Sequence, residues 1–118
     1  MGEYEAVFLP RFWECVARYP DLRPRVEKFV RRLLADPYQA GSSHALTVKG
    51  GQDRRGKRGA HLSRNFVLVF MVCEECMNRG YRAKGYNRCD PCPEQPLRRV
   101  IFLAFGTHKE AYGHTWGG

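Results

Sequence analysis

Residues 3–9, EYEAVFL, place Tyr4, Ala6 and Phe8 on one face and run into Pro10. That is the alternation of an edge strand, closed by a residue that cannot donate to a ladder. From Pro10 to Tyr19 the period changes to a helical one, with Phe12, Trp13, Val16 and Ala17 apolar and Pro10 tolerated in a first turn, until Pro20 stops it. A second helix follows, with Asp21 as a candidate N-cap, Pro24 in its first turn and an apolar stripe of Val26, Phe29, Val30, Leu33 and Leu34. Glu27 and Arg31 stand one turn apart on its polar face, and Asp36 and Pro37 end it. After a loop rich in Gly, Ser and Pro, His44–Lys49 and Gly59–Arg64 read as extended pieces flanking the turn-prone tract GGQDRRGKRG. Asn65–Val72 and Arg99–Phe105 are almost wholly apolar, as central strands covered on both faces should be. The order predicts an α+β fold: two N-terminal helices packed on a four-stranded antiparallel sheet, with a polar insert at 73–96 between the last two strands.

The length of 118 residues, with 43% hydrophobic positions, suits one domain spanning 1–118 and excludes a disordered chain or a repeat array. The longest apolar run, Phe66 to Cys73, has eight residues and falls far short of the roughly 20 that a membrane helix needs. The N-terminal stretch carries no basic leader ahead of a long apolar segment, so a cytoplasmic protein without a membrane partner is expected. A formal charge of +8, from 20 Lys and Arg against 12 Asp and Glu, points to a polyanionic partner, with nucleic acid first. The charge concentrates in the predicted hairpin, where Lys49, Arg54, Arg55, Lys57, Arg58 and Arg64 face only Asp53.

Four of the five cysteines form two CxxC pairs, Cys73 with Cys76 and Cys89 with Cys92, separated by twelve residues. Each short turn can aim two thiolates at one ion, and a hairpin of that length can bring the pairs face to face, so the insert is expected to hold a structural zinc. Four thiolates close the coordination sphere and leave no water to activate. Two disulfides or a rubredoxin-like iron are the rival readings, while thioredoxin-type chemistry uses a single CxxC at a helix N-terminus after a strand. Arg79, Arg82, Lys84 and Arg88 alternate with Tyr81 and Tyr86, a mixture found on RNA-contacting surfaces and equally on small solvated hairpins. Cys15 reads as a small core residue.

His44 opens the strand before the basic hairpin, His61 lies on the return strand, and His108 and His114 follow the last strand. Alternation would put His61, Ser63 and Asn65 on one face, with His44 and His108 at neighbouring strand ends. The segments HALT at His44–Thr47, AHLSRNFVLVF at Ala60–Phe70 and FGTHKEAYG at Phe105–Gly113 resemble the RelE/ParE-like bacterial toxins of toxin–antitoxin modules, and among them the YafQ-like mRNA interferases. The resemblance covers the chain apart from the insert and the last few residues, and GTH…YG is its most specific part. It implies an endoribonuclease that cleaves mRNA on the ribosome without a metal in the active centre, and an antitoxin that wraps the toxin. It places His44, His61 and His108 at catalytic positions and Tyr112 where an aromatic residue closes the site. Asn65 and Phe66 stand in place of an Asp-Trp pair, and an amide cannot take a proton as a carboxylate does. Val67 stands where many relatives carry arginine, which leaves Lys49 and Arg64 as candidate phosphate-binding cations, with Phe66 and Tyr112 stacking on bases. His61 and His108 would share the base and acid roles, with His44 assisting. Two other readings are a non-enzymatic, zinc-containing nucleic-acid-binding protein with a toxin-like fold, and a ParE-like protein acting on gyrase.

Overall fold

A computed structural model describes residues 3–49, 52–87 and 93–112. Strand β1 (Glu5–Phe8) leads into helix α1 (Pro10–Ala17), a short 3-10 turn at Pro20–Leu22, and helix α2 (Arg23–Ala35). Strands β2 (His44–Ala45), β3 (Val48–Lys49), β4 (Gln52–Asp53), β5 (Arg58–His61) and β6 (Phe66–Val72) follow, then helix α3 (Cys73–Asn78), strand β7 (Arg99–Thr107) and helix α4 (His108–Tyr112). Among these helices none is long and apolar enough to cross a membrane.

The α+β class matches the expectation, but the sheet is larger and mixed. It has five strands in the order β1-β7-β6-β5-β2, and β1 runs parallel to β7 while the other pairs are antiparallel. A parallel pair needs a crossover, which α1 and α2 supply as they carry the chain from one edge of the sheet to the other. The expected piece His44–Lys49 breaks in two: β2 adds to the far edge of the sheet, whereas β3 pairs with β4 in a separate ribbon. Helix α2 starts without a side-chain cap, because Asp21 is absorbed in the preceding 3-10 turn. At its other end the Asp36 amide donates to the Arg32 carbonyl at 3.0 Å, and the Asp36 carboxylate turns the chain away by accepting from the Tyr38 and Gln39 amides at 3.1 and 3.2 Å. Glu27 pairs with Arg23, one turn back, at 3.2 Å.

One face of the sheet buries Leu68, Phe70, Val100 and Phe102 under Phe12, Val16, Val26 and Leu33 of the two long helices. Phe8 stacks on Phe102 at 5.0 Å and packs on Phe12 and Trp13, and Cys15 is a buried member of this core as expected. The opposite face carries Val67, Val69, Met71, Ile101, Leu103 and Ala104, covered by Leu46, Cys73 and Ala111. Leu103 is an extra residue in the β6–β7 ladder, so two successive residues of β7 face the same side there. Both faces of β6 and β7 are thereby covered, which is why their sequences read as continuous apolar runs.

The CxxC helix is tied down by its two carboxylates. Glu74 accepts hydrogen bonds from the hydroxyls of Tyr4 and of Tyr38, the latter at 2.8 Å. Glu75 forms a buried ion pair with Arg58 of β5 at 2.8 Å. Arg58 also reaches Ser43 Oγ at 2.9 Å, and Lys57, likewise buried, donates to the Tyr86 carbonyl at 2.6 Å. Two cations of the basic hairpin therefore face inward and hold the insert to the sheet.

Candidate active site

Register explains how the histidines meet. His44 of β2 lies opposite Gly59 of β5, and His61 is two residues further along β5, so both project from the face away from α1 and α2. His108 opens α4 directly after β7. A reciprocal cap fixes that turn: the Thr107 amide donates to Glu110 Oε1 at 3.0 Å, and the Glu110 amide donates to Thr107 Oγ1 at 3.3 Å. Glu110 is further anchored by the Tyr19 hydroxyl and by Arg18 at 3.6 Å. The Tyr19 hydroxyl, followed by the Thr107 amide, holds the Glu110 carboxyl below its ordinary range. The T-x-x-E signature was present in the sequence and marks this helix start.

The rings form a row. His44 stacks on His61 at 6.0 Å, His61 lies 5.4 Å from His108, and His108 lies 5.9 Å from Tyr112. Tyr112 folds back over Gly59, where a Cβ would stand 2.5 Å from its hydroxyl, so the close approach of α4 to β5 requires glycine there. Together with Ala45, Leu46, Thr47 and Arg54, the four rings line a cleft of about 330 Å³. Arg54 sits over the Tyr112 ring at 4.8 Å.

Burial, reinforced by the neighbouring His108 and His44, pushes the His61 imidazole below its ordinary value of 6.5, while a hydrogen bond with the Gly41 backbone acts the other way. His61 is thus neutral near pH 7 and able to accept a proton. His44 is exposed, and its Nδ1 lies 3.0 Å from the Ser42 carbonyl, a contact that puts the proton on Nδ1 and leaves Nε2 facing away. Burial raises the Tyr112 phenol, opposed by Arg54, so it stays protonated at neutral pH. Replacing His44 by Gln removes one of the repulsions on His61 and should raise its pKa part of the way back, because burial, the larger cause, remains. A side-chain NMR titration of the variant checks this; a downward shift or none contradicts it. The linked stability runs in the same sense. A histidine depressed in the fold contributes stability that is present above its unfolded value of 6.5 and is lost as pH falls through its folded value.

Of the residues expected from sequence, His44, His61, His108 and Tyr112 come together, while Arg64, Asn65 and Phe66 do not line the cleft. Arg64 and Asn65 are exposed in the turn after β5. Phe66 faces the helices, packed against Tyr19 at 4.9 Å and Phe105 at 5.7 Å, and is not placed to stack on a base beside the histidines. Ser63 also falls in that turn, outside strand β5. Lys49 belongs to the β3–β4 ribbon. Among the described residues the cation lining the cleft is Arg54, brought there because its amide bonds to the Thr47 carbonyl at 3.4 Å and returns the hairpin beside Leu46. His114, Arg88, Cys89 and Cys92 lie outside the described residues.

Cys73 and Cys76 occupy the first turns of α3, both buried and neither in a disulfide. This places a CxxC at a helix start after a strand, the position used in thioredoxin-type chemistry. Among the described residues no group of three or more metal-ligating side chains converges.

No protein-family model matches the chain, and no curated protein sequence matches it. Solved structures do. A chain of the RelBE2 toxin–antitoxin complex of Mycobacterium tuberculosis superposes with a TM-score of 0.58 at 14% identity, covering 92% of this chain and 94% of that one. The chain has the fold of these toxins. A YoeB/ParE toxin from Agrobacterium tumefaciens gives 0.54 at 11% identity over 88% and 98% of the two chains. YafQ of E. coli gives 0.54 at 13% identity over 90% and 94%.

Proposed function

We propose that the chain is the toxin of a toxin–antitoxin pair and an endoribonuclease that cleaves mRNA, on the ribosome, by attack of a 2′-hydroxyl on the adjacent phosphate. The observation that carries this reading is the row His44, His61, His108 in one cleft beside Arg54 and Tyr112. Such cleavage needs a base, an acid and a cation, and the cleft holds all three kinds of group. His61, neutral at working pH, takes the proton from the 2′-hydroxyl as the 2′-oxygen bonds to phosphorus. His108, as imidazolium, gives a proton to the 5′-oxygen as its bond to phosphorus breaks, leaving a 2′,3′-cyclic phosphate. Arg54 meets the charge that develops on the phosphoryl oxygens, and Tyr112, stacked beneath it, supplies a flat wall for a base. His44 orients the phosphate from the exposed side. The fold shared with a chain of the RelBE2 complex supports an antitoxin as protein partner.

Purified protein incubated with mRNA on programmed ribosomes, with the new ends mapped, tests the reading. Cuts bearing 2′,3′-cyclic or 3′-phosphate ends are expected. RNA that is bound but left whole would favour the non-enzymatic binding protein instead.

The same proposal includes a structural zinc held by Cys73, Cys76, Cys89 and Cys92. The donor set fits: two buried thiols stand one helical turn apart, and the second pair has matching spacing in the sequence. Metal analysis should find about one zinc per chain, and a chelator should lower the melting temperature. A metal-free protein with unchanged melting would overturn the assignment.

A further inference from the structure

The turn that carries Arg54 leans on the insert through every one of its other residues. Arg54 to Lys57 form a β-turn closed by the Lys57 amide on the Arg54 carbonyl at 3.3 Å, with Gly56 at the positive φ of 91° that such a turn needs at its third position. Arg55 lies over the Tyr86 ring at 4.4 Å. The Gly56 carbonyl accepts from Asn87 Nδ2 at 3.0 Å, and a Cβ on Gly56 would stand 2.7 Å from Asn87 Oδ1. Lys57 Nζ donates to the Tyr86 carbonyl at 2.6 Å. Asn87 and Lys57 are 3% and 5% exposed, so these bonds are shielded from water. From Tyr86 the path continues to the CxxC helix, through the Tyr86 amide on the Tyr81 carbonyl at 2.9 Å and the Tyr81 amide on the Cys76 carbonyl at 2.8 Å. The Tyr81 and Tyr86 rings lie 5.8 Å apart. A segment that reads as a solvated appendage is thus built into the back of the cleft.

We propose that Asn87 and Lys57 are positioning residues, which lock the 54–57 turn against the insert and thereby set where the Arg54 guanidinium stands over Tyr112. This rests on the reading of the cleft as an RNA-cleaving site. It goes further in making the insert part of that site's architecture. Asn87 is the sharper probe, because replacing it removes no charge.

The test has two readouts on the full chain. In the first, the Arg54 Nε–Hε NMR signal is compared in the unmodified protein, in Tyr112→Leu, which removes the ring, and in Asn87→Ala. The ring current of Tyr112 should displace the signal in the unmodified protein, and N87A should move it towards the Y112L position. In the second, binding of a 2′-O-methyl RNA that cannot be cleaved is followed against salt. Arg54→Ala should lower the slope of log affinity against log salt by about one phosphate contact. N87A should lower it in the same direction, and R54A/N87A should show no further loss beyond R54A. Asn87→Ser serves in place of N87A if the alanine variant melts early, since a general loss of packing would not leave R54A insensitive to the second change. An Arg54 signal unmoved by N87A, or a double variant that loses further contacts, overturns the positioning role. A signal that N87A moves, found together with an unmodified protein that leaves mRNA whole, upholds it and overturns the nuclease reading.

Discussion

His61→Ala and His108→Ala should each slow mRNA cleavage by about 10²–10⁴-fold, the range over which a positioned proton donor or acceptor contributes. The cleft should otherwise survive both changes, since neither ring belongs to the two buried cores. The two substitutions should differ in their pH profiles. Without His61 the acid limb, which in the unmodified protein lies below the ordinary histidine range because that ring is depressed, should vanish. Without His108 the acid limb should remain and move upward, because His108 is one of the charges that depresses His61. The double variant should be little slower than the worse of the two singles, as expected of groups that act as a unit. Single-turnover cleavage of ribosome-bound mRNA across pH 5–8 reads all three. Undiminished rates in both single variants would remove the histidines from the chemistry.

Breaking the Arg58–Glu75 pair should be the most damaging single change to stability. Both groups are buried, at 8% and 7% exposure, and meet at 2.8 Å. Removing Glu75 strands the Arg58 charge away from water, at a cost of about 3–5 kcal/mol, whereas Glu75 without Arg58 keeps Arg79 at 3.8 Å. At about 4 °C per kcal/mol for a domain of this size, Glu75→Ala should lower the melting temperature by more than about 10 °C. Arg58→Met with Glu75→Leu, which removes both charges and keeps the volume, should recover part of that loss. The recovery should stay incomplete, because Ser43 Oγ and the Tyr38 carbonyl lose the donors that Arg58 supplies at 2.9 and 3.3 Å. Thermal and denaturant unfolding of the two variants beside the original checks the order. A Glu75→Ala protein as stable as the original would mean that α3 is docked by its tyrosine contacts to Glu74 instead.

The parts of this fold that were legible in the sequence are those whose burial is one-dimensional. Phe66–Val72 and Arg99–Thr107 announce themselves because both faces are covered, and α2 because its apolar stripe keeps a single period. Alternation shows which residues share a face but not which strand lies alongside, so the parallel pairing of Glu5–Phe8 with β7 and the two-residue β2 were beyond it. The same limit explains the misplaced site residues. Parity counted from His61 fails for Ser63 and Asn65, because residues 62–65 form a turn, and it resumes on β6, where the register sets Val67 opposite His61. Val67 and His61 therefore share a face, while Phe66 points to the helices. Arg54 was hidden among several equivalent cations, and only the fold of the hairpin separates it from Lys57 and Arg58, whose charges are used internally.

The pairing of β1 with β7 also bears on when this protein becomes dangerous to its host, if it acts as proposed. Glu5 lies beside Arg99, so the sheet cannot close until the two far ends of the chain find each other, a contact of very long sequence separation and hence slow to form. His108 and Tyr112 follow β7 directly and are held by contacts to α1's C-terminal side and to β5. A nascent chain thus carries a helical half long before it carries a working cleft, and its proton-transfer groups come into register only in the last stage of folding.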